Sequence, residues 1–246
     1  MFQKISNKKI VCVIPARLAS TRFPRKVLEP LDGKPLVLWA LDAARSMRCF
    51  DDVVCAVDSE EVAACVEKHG GRFIMTSKEC ASGTERILEL HAKRALEGDV
   101  WVNWQADEPF INEQMIAALL QSCTEQNEDI WTLKKKINSI EDVLSPHVVK
   151  VICDHAGRAL YFSRSSIPYQ REEVPNVYYK HIGLYAYSQR ALSLLQMVPE
   201  CALERAEKLE QLRFLYHGLY IRVHDTEHET LGIDVPEHLA LAAQRI

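Results

Sequence analysis

Three short segments concentrate the charged groups that a reaction would need. Residues 15–26 read PARLASTRFPRK and place Arg17, Arg22, Arg25 and Lys26 in a stretch that two prolines keep from becoming a helix. Either this loop is solvated charge, or it holds a strongly anionic ligand: arginine forks match phosphate oxygens, and a lysine serves as a movable point charge. The segment QADEPF puts a carboxylate pair, Asp107 and Glu108, directly after an apolar run and before a proline. That is an acidic turn or a seat for Mg²⁺, which takes one or two protein carboxylates and completes its shell with water and phosphate. In GIDVPEHL, Asp234 stands two residues before Pro236, where it can cap a helix, ligate a metal, or do both. A cationic loop with two separated aspartates is what a nucleoside triphosphate and Mg²⁺ require. Neither GxGxxG nor GxxxxGK[ST] occurs, so this is not a dinucleotide or Walker-type phosphate loop.

These segments need a scaffold, and the apolar pattern supplies one. The runs IVCVI, VVCAV, RFIMT and VWVNWQA read as buried strands, near-continuously apolar as parallel strands are. Between them, 35–48, 60–69 and 83–97 carry apolar residues at helical spacing. Asp58 with Glu61, and Ser82 with Glu85, have the spacing of capping boxes. Alternating strands and helices predict right-handed crossovers and a mostly parallel α/β sheet flanked by helices, with the first loop at its carboxyl edge. After a helical segment at 113–126 the strand signals cluster: IWTLKKKI, VVKVICD, ALYFSRS and YYKHIGLYAYS, the middle two joined by HAGR as a hairpin. This predicts antiparallel additions or an inserted lobe, a β-rich region over roughly 130–190 within a single domain of 1–246. A helical stretch at 203–217, a strand at 220–226 and a helix from Pro236 follow, and PYQREEVPN is the expected flexible piece.

Composition narrows the classes further. With 246 residues, 48% hydrophobic and 26% charged, the chain has the make-up of a globular protein. A net charge of −4 gives no general attraction to nucleic acid or anionic lipid, so neither is an expected partner and any anion site is local. No run approaches the ~18 apolar residues of a membrane span, and the apolar start is too short for a signal peptide. The eight cysteines show no CxxC pair, which predicts free thiols in a reducing, cytoplasmic setting.

The ordered series IPARLASTRFPRK, LDGKPL, SGTER, QADEP, ALYFSRSSIP, HIGLYAY, LEQLR and GIDVPEHL resembles the 3-deoxy-manno-octulosonate cytidylyltransferases, or CMP-Kdo synthetases, from Ile10 to about Leu239. GKPL recurs widely among sugar nucleotidyltransferases; SGTER, YFSR, HIGLYAY and LEQLR in combination are specific. The resemblance implies a Rossmann-like nucleotidyltransferase sheet with a smaller β-rich lobe for dimerisation and sugar binding. It implies CTP and Kdo as substrates, CMP-Kdo and pyrophosphate as products, and Mg²⁺ held by Asp107 and Asp234. Arg17 and Lys26 match the phosphate-facing catalytic positions, with Arg22 a weaker match. Ala16, Ser82, Gly83, Thr84 and Arg86 match the cytidine side. Gln105, Arg164, His181, Tyr185 and Glu210 match the sugar side, with Arg164 and His181 expected on the C1 carboxylate and the others on hydroxyls. Two positions depart from the family pattern, where glycine is usual: Arg25 and Ala106.

Two other functions fit part of this pattern: a cytidylyltransferase for sialic acid or another sugar acid, and a non-catalytic nucleotide-binding regulator. The four tyrosines Tyr178, Tyr179, Tyr185 and Tyr187 in the last strand cluster predict an aromatic interface and a homodimer.

Overall fold

The structure is a computed structural model and describes residues 7–20, 23–124, 129–172 and 176–246. Arg22 lies outside the described residues, as does part of PYQREEVPN. The chain groups into two compact units, Met1–Glu113 with Thr230–Ile246, and Gln114–Glu229.

In the first unit, β1 (Ile10–Ala16) is buried at every position, as its unbroken apolar sequence requires. A 3₁₀ turn, Lys26–Leu28, leads to a tight hairpin of β2 (Pro30–Leu31) and β3 (Lys34–Pro35). Its turn is Asp32-Gly33, both at positive φ (48° and 74°), the pairing that favours a two-residue hairpin. Then follow α1 (Leu36–Ser46), β4 (Asp52–Val57), α2 (Glu60–Lys68), β5 (Phe73–Met75), α3 (Gly83–Ala92) and β6 (Val100–Asn103). The strands lie in the order β6–β1–β4–β5, all parallel. The chain runs outward from β1 through β4 to β5, then returns to the other side of β1. The switch point therefore falls between the carboxyl ends of β1 and β6, where ligands bind in open α/β sheets.

The second unit begins within α4 (Glu113–Leu120) and holds β7 (Ile130–Lys136), α5 (Ile140–Leu144), β8 (Lys150–Cys153), β9 (Ala159–Ser163), β10 (Tyr179–Ser188), α6 (Gln189–Leu195), α7 (Ala202–Glu207), α8 (Gln211–Tyr216) and β11 (Ile221–Asp225). The clustered strands are antiparallel, β7 with β10 and β8 with β9 across a turn where Gly157 has φ 77°. β11 joins β7 in parallel. The expected helix at 203–217 is two helices, because Lys208 adopts the left-handed conformation (φ 53°) and ends α7. The chain closes with α9 (Pro236–Ala243), which has proline in its first turn. In the first unit Ile233 and Ala242 pack with Phe23, Leu31 and Leu36 in one buried cluster.

Two caps test the expected boxes. Ser82 accepts the Glu85 amide at 3.2 Å, while the Glu85 carboxylate reaches back to the Ala81 amide at 2.7 Å. Asp58 caps nothing; the cap of α2 is Ser59, which accepts the Val62 amide at 3.2 Å. Ser59→Ala is expected to cost about 1 kcal/mol of stability. Urea denaturation measures it, and an unchanged midpoint would remove the cap from α2.

Candidate active site

At the switch point, the carboxyl end of β1 delivers Ala16 and Arg17, and the turn after β6 delivers Gln105 and Asp107. Arg17, Gln105 and Asp107 surround a cavity of about 360 Å³ that Lys26, Ser82, Gly83, Arg86 and Asp234 also line, while Ala16 is not among its lining residues. Each element arrives for a local reason. The Glu108 amide donates to the Gln105 carbonyl at 3.0 Å, which turns the chain after β6, and the Trp104 indole closes the turn on the Glu108 carbonyl at 3.1 Å. The Ile233 amide donates to the Asp107 carbonyl at 2.9 Å, and this draws Asp234 alongside.

Lys26 and the two aspartates converge. The Lys26 ammonium bonds the Asp107 carboxylate and lies 3.2 Å from Asp234 Oδ1. Asp234 does not cap α9, whose cap residue is Val235; its carboxylate faces Lys26 instead. Two carboxylates and no soft donor are a set that suits Mg²⁺. Among the described residues no group of three or more acids, histidines or cysteines forms a closed metal cage. A cation here would therefore draw its remaining ligands from water and substrate, which is Mg²⁺ chemistry rather than structural-zinc chemistry.

The adjacent acids of QADEP do not act as a pair. Asp107 faces the cavity, but Glu108 turns inward and buries its Oε2. Its carboxyl takes a hydrogen bond from Thr230, and its Oε2 meets no partner among the described residues. Burial, reinforced by the Asp107 charge, pushes the Glu108 carboxyl up to about 8.

The N-terminus of α3 comes unusually close to Gln105. A Cβ on Gly83 would sit 2.9 Å from Gln105 Nε2, so glycine is what lets the start of the helix border the cavity. Gln105 is steadied by donating to Asn103 Oδ1 at 2.8 Å. Thr84 is buried in the first turn of α3. Arg86 corrects the expectation of a plain cytidine contact, since its guanidinium is already engaged. It donates to Asp58 at 2.8 Å, to the Thr76 hydroxyl at 2.7 Å and to the Ser77 carbonyl at 3.0 Å. Asp58 also accepts the Leu18 amide at 2.9 Å. This ion pair, 1% and 6% exposed, thus fastens the start of the cationic loop to α3.

Of the two family departures, one is strained. Arg25 keeps a left-handed conformation (φ 60°), which costs a residue with a Cβ roughly 1 kcal/mol. Its guanidinium pairs with Glu61 at the exposed start of α2. Ala106 is buried and has no positive φ, so alanine is accommodated there without backbone strain.

The sugar-side candidates other than Gln105 lie in the second unit. In a regular strand, His181 and Tyr185 would stand about 13 Å apart. A register shift between Ile182 and Tyr185 brings their rings to 5.3 Å. Burial pushes His181 down to about 3, so its imidazole is neutral at physiological pH. Its Nε2 lies 3.0 Å from the Thr132 hydroxyl, which itself donates to the carbonyls of β10 at 3.1 and 2.9 Å. The single Thr132 proton being used there, Nε2 is the donor and Nδ1 the acceptor. A neutral ring with Nδ1 as acceptor suits a hydroxyl donor better than the expected carboxylate. The Tyr185 hydroxyl is buried, and burial, reinforced by Tyr187 and Glu210, holds its proton firmly. Tyr187 stacks on it and is wholly buried, so Tyr187 belongs to the interior rather than to an interface.

Arg164 is fixed but not ion-paired among the described residues. Its Nε donates to the Glu207 carbonyl at 2.7 Å and Nη1 to the Pro146 carbonyl at 2.9 Å. The Glu207 carboxylate is occupied by the Ser163 hydroxyl and the Arg164 amide. Glu210, before α8, pairs with Arg213 at 3.1 Å. Nothing in the sequence pattern marked the roles that Asp58, Glu108, Thr132 and Glu207 play here, because each acts on a residue far away in the chain.

Arg86→Met strands Asp58 as a buried, unpaired charge. It is expected to destabilise the protein by about 3–5 kcal/mol, with much of the loss recovered in an Arg86→Met, Asp58→Leu double variant. Chemical denaturation decides; a loss under about 1 kcal/mol would show the pair to be solvated.

The sequence matches the Cytidylyltransferase family over residues 11–224. It is 43% identical, over 94% of this chain and 96% of that protein, to a 3-deoxy-manno-octulosonate cytidylyltransferase of Thermodesulfovibrio yellowstonii. It is 41% identical to the protein of that name from Flavobacterium johnsoniae, over 95% of this chain and 97% of that protein. Among solved structures it is similar to a CMP:2-keto-3-deoxy-manno-octonic acid synthetase complexed with CTP, with TM-score 0.91, 37% identity and coverage of 97% of this chain and 100% of that one. A 4-diphosphocytidyl-2C-methyl-D-erythritol synthase from Anaerococcus prevotii shares the fold alone, at TM-score 0.64 and 13% identity over 98% and 99% of the two chains. With the cationic loop, the two converging aspartates and the switch-point cavity all in place, the chain belongs to the cytidylyltransferases, in the 3-deoxy-manno-octulosonate group.

Proposed function

We infer that the chain transfers CMP from CTP to the anomeric C2 hydroxyl of 3-deoxy-D-manno-octulosonate, giving CMP-Kdo and pyrophosphate for lipopolysaccharide biosynthesis. The observation that carries this reading is that relatives named for the one activity align over nearly the whole chain, around a cavity with the charges that activity needs. Retention of both aspartates beside Lys26 speaks against a non-catalytic nucleotide binder. The names of these relatives speak against sialic acid as the acceptor.

In this reading Arg17 and Lys26 receive the triphosphate, while Ala16 and the Ser82–Thr84 start of α3 border the cytidine. Arg86 shapes that wall through Asp58. Asp107 and Asp234 hold Mg²⁺, which when bound neutralises phosphate charge and acidifies the attacking hydroxyl. The protein does little covalent work: it aligns the sugar hydroxyl with the α-phosphorus and stabilises developing charge. Arg164, with two donors already anchored, offers the rest of its fork to the sugar carboxylate. A carboxylate losing its hydration needs such a donor. Neutral His181, Tyr185, Gln105 and Glu210 serve the hydroxyls.

The assay is CTP, Kdo and Mg²⁺ with detection of CMP-Kdo by mass, run beside N-acetylneuraminate. Product from Kdo alone is expected; product from neither sugar would overturn the reading. Asp107→Asn and Asp234→Asn should each lower kcat by roughly two orders of magnitude or more with the fold intact. Arg164→Lys should raise the KM for Kdo about tenfold and leave CTP binding alone. Wild-type kinetics in any of these variants would withdraw that residue's role.

The assembly in this reading is a homodimer formed by the β-rich region. Its support is a set of exposed apolar side chains there: Ile140 and Leu144, one helical turn apart, are 60% and 67% exposed, and Tyr169 is 86% exposed. Light scattering should give twice the 28.1 kDa chain mass, and a monomer at micromolar concentration would refute it. The reaction is placed in the cytoplasm. All eight cysteines are free, and among the described residues no helix is long and apolar enough to cross a membrane. Recovery of the protein in the periplasmic fraction would contradict that placement.

A further inference from the structure

Glu108 is unexplained by the roles given so far. It is an acidic side chain with one oxygen buried and lacking any partner among the described residues, beside two more carboxylates. Such a group is retained at a cost unless its position does something. Its contacts bridge two segments. Its main chain belongs to the turn that presents Asp107, closed by the Glu108–Gln105 and Trp104–Glu108 bonds. Its side chain reaches the other segment, taking the Thr230 hydrogen bond and lying 3.9 Å from where a Cβ on Gly232 would stand. That second segment runs on through Ile233, whose amide bonds the Asp107 carbonyl, to Asp234. The same two segments are also joined by that 2.9 Å backbone bond, by the Lys26 ammonium between Asp107 and Asp234, and by apolar packing around Ile233.

We propose that Glu108 is a positioning residue: through Thr230 it latches the segment carrying Asp234 to the turn carrying Asp107, and so sets the spacing of the two carboxylates that receive a divalent cation. It is not a metal ligand, because its free oxygen is enclosed. The proposal rests on the reading of Asp107 and Asp234 as the cation seat. The latch needs an acceptor of the right length, not a charge, so glutamine is its conservative replacement. In Glu108→Gln the amide oxygen keeps the Thr230 bond and the amide nitrogen takes the place of the partnerless oxygen.

The test uses the full-length protein with CTP and Mn²⁺ as the probe ion, following Mn²⁺ binding by electron paramagnetic resonance and stability by thermal unfolding. Glu108→Ala and Thr230→Val are expected to weaken Mn²⁺ binding about tenfold or more and to lower kcat, while CTP binding without metal stays near wild type. Glu108→Gln should restore Mn²⁺ binding to within about threefold of wild type. If the alanine variant does not fold, Thr230→Val carries the test alone. Wild-type Mn²⁺ affinity in folded Glu108→Ala or Thr230→Val, with only the melting temperature lowered, would reduce Glu108 to a structural role and overturn the proposal. Equal damage from Glu108→Gln and Glu108→Ala would also overturn it, since charge rather than the latch would then matter. Asp107→Asn distinguishes a failure of the parent reading: unchanged Mn²⁺ binding there removes the cation seat itself.

Discussion

The Lys26 ammonium between Asp107 and Asp234 is the interaction on which the site depends. It joins the loop after β1, the turn after β6 and the approach to α9, segments separated by 81 and 208 residues in sequence. Two carboxylates at close range repel one another, and a cation between them converts that repulsion into a cross-link. Lys26 is buried, so the cross-link acts in a less screened medium than a surface pair would. The same geometry sets the chemistry: where one cation is held by two hard anionic ligands beside a phosphate-sized cavity, a metal–nucleotide complex has its complement.

Around this centre the fold uses buried polar contacts as fasteners. Asp58 and Arg86 tie the first loop to α3, and Glu108 reaches from the Asp107 turn toward Thr230. Each carries a desolvation cost that is tolerated only with partners in place. Gly83 serves the opposite need, giving the α3 terminus room beside Gln105. Arg25 shows that the loop geometry outranks local preference: the left-handed conformation persists where arginine has replaced the glycine usual in the family.

In the second unit, electrostatics and strand geometry work together. Burial keeps His181 neutral, and the Thr132 hydroxyl fixes which of its nitrogens accepts. The irregularity in β10 brings His181 to Tyr185. The Arg164 guanidinium forms no ion pair among the described residues, because Glu207 offers it a carbonyl while its own carboxylate is taken by Ser163 and the Arg164 amide. A guanidinium anchored by neutral acceptors retains its full charge for an anionic ligand.

Much of this was legible in the order of residues. Unbroken apolar runs gave β1, β4 and β6, whose two faces are both covered, and helical spacing gave α1 to α3. The Ser82 cap and the Gly157 turn follow from side-chain and backbone chemistry local to a few residues. The motif order named the cations and both aspartates, since those residues act by type at fixed places along the chain. What stayed hidden depends on neighbours distant in sequence. Asp58 has the spacing of a cap yet serves Arg86, and Glu108 looks like the twin of Asp107 yet faces inward. Tyr187 looks like an interface residue yet lies in the interior. The break at Lys208 and the shift in β10 are backbone events that periodicity does not register. Which oxygen, ring nitrogen or guanidinium edge remains for a ligand is settled only once the fold has assigned the others, and that is a property of tertiary structure.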